Sequence, residues 1–311
     1  MLSYRWFICS DYRLSERVIV GEIMKIRVYT GRIVFNDLQM SLADFFGYWK
    51  VGKKHRYELM QNGHVLLNGK VCKGHEQITL NDELVIVRDE EIGVEPASHP
   101  CQVVYEDEMF LIVHKDRGVI IHDDASSEAL VNQVATYMMQ QGIEGSVHYL
   151  HRLDKETTGL VIFNKIGFFQ GYLDDAMSTK QIRRYYLAQT EGYMRKGMNH
   201  TIKAKIGMDR HVSGKMRVSD SGKEAVTHVK VMGDGVVRCE LDTGRTHQIR
   251  VHLAHIGHPI VNDELYGEVK NRSGMKLWAY EVEFTHPLNG NKMTVRDTKV
   301  EKWAMKAINE L

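Results

Sequence analysis

Apolar and polar positions along the chain mostly alternate in short runs broken by turn residues, with a few stretches of helical spacing between them. MKIRVYTGRIVF, residues 24–35, predicts one or two strands broken at Gly31. At Ser41 the period changes: Leu42, Phe45 and Phe46 recur at helical spacing behind a serine able to cap, so a short helix is expected. A second helical segment should end at Gly63, followed by VLLNGKV with a hairpin turn at Asn68-Gly69 and a closing strand in ITLNDELVIV. Further on, VVYEDEMFLIVHKDRGVIIH predicts two strands with turns at Glu106-Asp107 and Arg117-Gly118. Ser126-Ser127-Glu128 can cap a helix carrying Leu130, Val134, Tyr137 and Met138 and stopped by Gly142. Leu160 to Phe163 is a buried strand, residues 166–178 a helix and RRYYLAQTEG a strand. EAVTHVKVM and VVRCELD flank a hairpin at Gly233-Asp234-Gly235, and Thr246 can cap a helix with a stripe of Ile249, Leu253 and Ile256 that ends at Gly257.

A chain of 311 residues, 43% hydrophobic, can bury one large core or two unequal ones. RDEEIGVEPASHP is acidic and holds two of the four prolines, which marks a linker. The expected organisation is an N-terminal extension over 1–40, a small α+β module over 41–90, a linker over 91–100 and the main domain over 101–311. A formal charge of +1 carries no global nucleic-acid signal, so any RNA affinity must reside in local basic patches. Cys9, Cys72, Cys101 and Cys239 lack metal or disulfide spacing and fit a reducing cytoplasm. No run of about 18 apolar residues is present, and neither a membrane span nor a secretion signal is read.

The densest chemistry lies in HRLDKETTGLVIFNK, residues 151–165, where His151, Arg152, Asp154, Lys155 and Glu156 crowd a loop leading into the buried strand. On composition alone such a loop is as well explained by a solvated strand connection whose charges pair with one another. Its wording, however, resembles the signature H-R-L-D-x-x-T-S/T-G-L of the RluA family of RNA pseudouridine synthases. A protein-kinase catalytic loop would read H-R-D and be accompanied by D-F-G, which does not follow here.

Other segments extend the resemblance over roughly residues 100–290. Tyr105 through His122 is similar to the family segment that opens Y-E-D and closes V-x-K-P-x-G-x-x-x-H, with Asp116 where proline is usual; Asp is expected to start that turn through its side chain. Arg184, Tyr186 and Ala188 match the motif R/K-x-Y-x-A, and GRTHQIRVH, residues 244–252, matches G-R-T/S-H-Q-I/L-R-V-H throughout. DELYG resembles the end of G-D-x-x-Y-G, with Asn262 in place of the first glycine. The helix-helix-hairpin order over about residues 40–90 is similar to the alpha-L RNA-binding motif.

The resemblance implies an α+β fold, a mostly antiparallel mixed sheet with flanking helices and a central catalytic cleft. It implies Asp154 as the catalytic carboxylate, Arg250 as the cation beside it, and Tyr186 as the residue touching the target base and a candidate general base. Arg152 would fill the space left by an everted base, Leu277 would pack under that base, and Arg245 and His247 would bind substrate. RNA phosphates would be met by Lys53, Lys54 and Arg56, by Arg183 and Arg184, and by Lys215 and Arg217 in a basic arm over 202–223. Read without the family, the run holding Lys53, Lys54 and Arg56 is better explained as a solvated helix face, and the basic arm is as well explained as a solvated hairpin.

The implied reaction breaks the glycosidic bond of a uridine in RNA, turns the base and rejoins it through carbon 5. It requires no cofactor, and neither G-x-G-x-x-G nor a P-loop is present. Asp154 would act as nucleophile or promote departure of the base. His252, His255 and His258 are spread around a helix and past its end, without the carboxylate partners of a metal motif, so no metal is expected. The partner that the resemblance implies is RNA, ribosomal or transfer, with no DNA or membrane expected. Two other readings stay open: an inactive RNA-binding or chaperone protein, and a nucleosidase, for which no second carboxylate is nominated.

Overall fold

The computed structural model describes residues 15–19, 22–123, 125–268 and 273–309; Cys9 lies outside them. The chain divides into two compact units, one running to Glu90 with 286–291 added, the other formed by Glu91–Thr285 and the residues from Lys292 on.

In chain order the first unit contains β1 (Ser15–Ile19), β2 (Glu22–Tyr29), β3 (Arg32–Asn36), β4 (Met40–Ser41), α1 (Leu42–Tyr48), α2 (Lys53–Gln61), β5 (Val65–Leu67), β6 (Lys70–Val71), β7 (Gln77–Ile78) and β8 (Leu84–Val87). Ser41 caps α1 as its position suggests, its Oγ accepting the Asp44 N–H at 3.1 Å. That sets Leu42, Phe45 and Phe46 inward, with Phe45 edge-on to Phe35 at 4.8 Å. Asn68 and Gly69 both take positive φ, the requirement of a two-residue hairpin turn. The sheet runs β1-β2-β3-β8-β5-β6. Strands before residue 40 therefore pair directly with those of 65–87, which corrects their separation as an extension: β3 and β8 are both apolar and each supplies the other's missing ladder.

The second unit contains β9 (Gln102–Glu106), β10 (Phe110–Lys115), α3 (Leu130–Gln141), β11 (His148–Tyr149), β12 (Thr158–Asn164), α4 (Gln170–Ser178), β13 (Ile182–Gln189), β14 (Asn199–Lys203), β15 (Ile206–Met208), β16 (Met216–Val218), β17 (Val226–Gly233), β18 (Val236–Leu241), α5 (Gln248–His255), β19 (Leu277–Thr285), β20 (Lys292–Arg296) and α6 (Met305–Ile308). Its large sheet is ordered β14-β17-β18-β13-β19-β12-β10-β9, with β11 on β12 and β20 on β19. All pairs are antiparallel except β12 with β19. One face packs under α3 and α5 through Leu130, Val134, Met138, Ile249 and Leu253. The other buries Tyr185, Leu187, Trp278 and Tyr280 against Ala304 and Ala307. Alternation along β13 thus sends Tyr186 and Tyr185 to opposite faces.

Three local expectations are corrected. Helix α3 is capped at Ala129, without a side-chain bond; its first N–H groups, of Leu130 and Val131, donate instead to the carbonyls of Ile120 and Ile121. Helix α5 is capped at His247, which takes a left-handed φ of 56°, and not at Thr246. The Asp116 carboxylate does not start its turn. It pairs with Lys299 at 3.0 Å and His114 at 3.3 Å, and the turn is left to Gly118 at φ 83°.

Candidate active site

The loop 151–157 is fixed from both ends. Behind it, β12 and β19 run parallel only where Thr158 faces Trp278 and Gly159 faces Ala279. There the backbones approach so closely that a Cβ on Gly159 would lie 2.2 Å from the Ala279 carbonyl oxygen, and φ is 116°. Only glycine fits both demands. In front, the buried Lys115 Nζ donates to the carbonyls of Asp116 at 2.9 Å, Val119 at 2.8 Å and Lys155 at 3.0 Å, joining the turn after β10 to the loop. Burial pulls this ammonium down to about 8, against the opposing charges of Glu156 and Asp154. His151 is buried behind the loop, its Nε2 accepting the Ile162 N–H at 3.4 Å, and burial holds its imidazole well below the ordinary value.

These supports present the half-buried Asp154 to the guanidinium of Arg250, whose Nη1 donates to Asp154 Oδ2 at 3.3 Å. The other edge of the guanidinium is held by Asp263, wholly buried: Nε donates to Oδ2 at 2.7 Å and Nη2 to Oδ1 at 2.8 Å. Burial works against the charge on Arg250, but the bonds and charge of Asp263, then of Asp154, outweigh it and raise its pKa. The cation is therefore permanent and its direction fixed.

Around this pair lies a cleft of about 1340 Å³. That exceeds the roughly 300–1,000 Å³ of a small-molecule site and leaves room for nucleotides beside a single base. Arg152, Asp154, Arg183, Arg184, Tyr186, Arg245, His247, Arg250 and Leu277 all line it. Arg152 is exposed at its edge, while Tyr186 and Leu277 are buried in its wall. Burial raises the Tyr186 phenol, with the Arg184 charge opposing and Asp154 reinforcing the shift. Arg245 is partly committed, its Nε donating to the Glu224 carbonyl at 2.9 Å.

The remaining basic residues lie elsewhere. Lys53 and Lys54 are exposed on α2, where Lys54 faces Glu58 at 3.7 Å, and the Arg56 guanidinium sits over the Phe46 ring at 5.1 Å. Lys215 and Arg217 lie on the β15–β16 hairpin. This segment is less of a free arm than its composition suggests, because Ile206, Met216 and Val218 pack it on Val251 of α5. His252 is occupied by Thr227 Oγ1 at 2.8 Å and the Ala204 carbonyl at 2.9 Å, and His258 by the Glu191 carbonyl at 3.1 Å. Sequence reasoning gave no role to Asp263, Tyr266 or Lys115, though the first two stand in the D-x-x-Y spacing noted there.

Comparison with known proteins points to one family. The sequence profile of a family described as RNA pseudouridylate synthase matches residues 109–255. An uncharacterized RNA pseudouridine synthase, YhcT, of Bacillus subtilis (strain 168) is 34% identical over 242 residues, 74% of this chain and 78% of its own. Ribosomal large subunit pseudouridine synthase D of Escherichia coli (strain K12) is 36% identical over 243 residues, 74% of this chain and 72% of its own. Among solved structures, human RNA pseudouridylate synthase domain containing 1 superposes with a TM-score of 0.53 at 26% identity, covering 66% of this chain and 86% of that one.

Proposed function

We propose, from the premise that this chain belongs to the RluA family of RNA pseudouridine synthases, that Asp154 is the carboxylate on which its isomerisation of uridine turns. The enzyme acts on RNA, and nothing is oxidised or lost: the bond from N1 to the sugar breaks, one from C5 forms, C5 gives up its proton and N1 gains one. The observation that carries the assignment of Asp154 is its bond from Arg250, a cation whose other edge is immobilised by Asp263. A carboxylate so paired is aimed, beside a fixed cation, in a partly desolvated site, as attack on the sugar or promotion of base departure requires.

The uridine must leave its stack to reach this depth, at a cost of a few kcal/mol offset by contacts in the cleft. Leu277 and the Tyr186 ring offer an apolar wall for the uracil, and exposed Arg152 is placed to fill the vacancy. Tyr186 as acceptor of the C5 proton is consistent with its position, though burial makes its phenolate scarce at neutral pH and correspondingly basic when formed. Arg183, Arg184, Arg245 and His247 would meet phosphate and ribose, and Lys215, Arg217, Lys53 and Lys54 the flanking backbone. The first unit, whose helix-helix-hairpin order is similar to the alpha-L motif, would dock RNA, with Arg56 partly committed to Phe46.

The target is taken to be ribosomal RNA of the large subunit, because relatives at this level of identity carry that name, and the work to be cytoplasmic. Site-resolved pseudouridine mapping of ribosomal and transfer RNA, in cells with the gene, without it and with Asp154→Asn, tests both parts. Loss of one or more large-subunit sites in both mutant strains is expected. Loss confined to transfer RNA overturns the target, and full modification by Asp154→Asn overturns the role of the carboxylate. Released uracil would favour a nucleosidase.

A further inference from the structure

Tyr266 stands at the junction of three parts of the second unit that the reaction uses separately. Its phenol oxygen accepts the backbone N–H of Met216, on β16 of the basic hairpin, at 2.8 Å. The same oxygen lies 3.0 Å from His247 Nδ1, at the head of α5. Its ring centroid is 5.2 Å from the Arg250 guanidinium and 5.2 Å from Lys215 Nζ, and its backbone N–H donates to Asp263 Oδ1 at 3.2 Å. These contacts reach the hairpin, the cleft wall and the cation beside Asp154 through one side chain.

Counting protons fixes one hydrogen bond and limits the other. A backbone N–H can only donate, so toward Met216 the phenol is the acceptor. Its one proton has a single partner among the described residues, His247 Nδ1, and that bond requires Nδ1 to be unprotonated; a protonated Nδ1 would donate to the same oxygen and turn the phenol proton outward. Burial pushes the Tyr266 phenol up to about 12, so that proton stays in place, and burial keeps the His247 imidazole below its ordinary value. A neutral imidazole accepting at Nδ1 carries its hydrogen on Nε2. His247 lines the cleft, and its left-handed backbone is a strained conformation for a residue with a side chain.

We infer that Tyr266 is a positioning residue which, while the 206–218 hairpin is seated on it, locks His247 as an Nε2–H donor facing the RNA in the cleft. Seating of the hairpin thereby becomes a condition for a complete active site, beyond any contact the hairpin itself makes with RNA. The inference rests on the synthase reading for its consequence, but the tautomer can be observed without catalysis, and Asp154→Asn tests the reading separately.

Two substitutions act on different ends of the relay. Tyr266→Phe removes the phenol oxygen and keeps the ring. Met216→Pro removes the N–H, at a strand position where that group meets the phenol rather than its ladder, and because it also removes a side chain packed beside Val251 it is read against Met216→Ala, which keeps the N–H. Nitrogen-15 NMR of the RNA-free full chain is expected to show His247 as the Nε2–H tautomer, and a mixture in either variant. In single-turnover assays at saturating RNA, each variant should lose roughly fivefold to tenfold in rate, about the worth of one hydrogen bond, with little change in RNA affinity. The double variant should be no slower than the slower single one. Thermal melting identifies a variant that has merely unfolded, and the NMR result for the native chain stands independently of both. An Nδ1–H tautomer in the native chain, unchanged rates in a folded Tyr266→Phe, or losses that multiply in the double variant would each overturn the inference.

Discussion

Asp263 has no exposed surface and both its oxygens are engaged by the edge of the Arg250 guanidinium that faces away from Asp154. Removing its charge leaves a buried cation with only a half-buried partner, and such a break costs about 3–5 kcal/mol. Asp263→Asn is therefore expected to lower the unfolding free energy by that amount in denaturant titration and to abolish turnover; a loss below about 1 kcal/mol would show the pair to be no stronger than a surface one. Two histidines set the acid limit. His151 and His252 are held neutral in the folded state by burial, with values below the ordinary imidazole. The unfolded chain takes up protons near pH ~6.5 while the folded chain does not, so the stability they contribute is complete above that value and lost as pH falls below it. Denaturation midpoints measured between pH of about 5 and 8 should decline on the acid side, and a flat series would mean both imidazoles titrate normally.

At the level of elements, the turn from loop 151–157 into β12 depends on one residue without a side chain. Gly159→Ala places a methyl group against the Ala279 carbonyl in a backbone region closed to alanine. It should cost at least about 2 kcal/mol and separate the parallel pair, which hydrogen exchange at Leu160 and Ala279 would report. Much of this architecture was legible beforehand. The buried run Leu160–Phe163, the Asn68-Gly69 hairpin and the Ser41 cap follow from period and turn chemistry, which are local properties. The caps of α3 and α5 were not legible, because distant carbonyls and a strained histidine replace the expected hydroxyls. Nor was the fork of Asp263 on Arg250: both residues stood in recognisable motifs, but nothing in a linear spacing says that two carboxylates will share one guanidinium. Asp116 shows the same limit, since its side chain answers Lys299 rather than its own turn.

For the molecule as a whole, a charge near zero means that RNA affinity must be carried by a few placed cations. Neutralising Lys215 and Arg217 together should flatten the dependence of log affinity on log salt by about 0.7 for each phosphate no longer paired, and an unchanged slope would remove the hairpin from the RNA interface. The parallel pairing of β12 with β19 carries a consequence in time as well as in space. Thr158 meets Trp278 across much of the length of the second unit, a pairing of high sequence separation that is slow to form. A nascent chain that has not yet emerged as far as Leu277 has no rail on which Gly159 can rest, so the loop bearing Asp154 stays unplaced until that strand has been made. An enzyme whose substrate is RNA is born beside a great deal of it, and on the role proposed for Asp154 a polypeptide still lacking β19 would be chemically silent there.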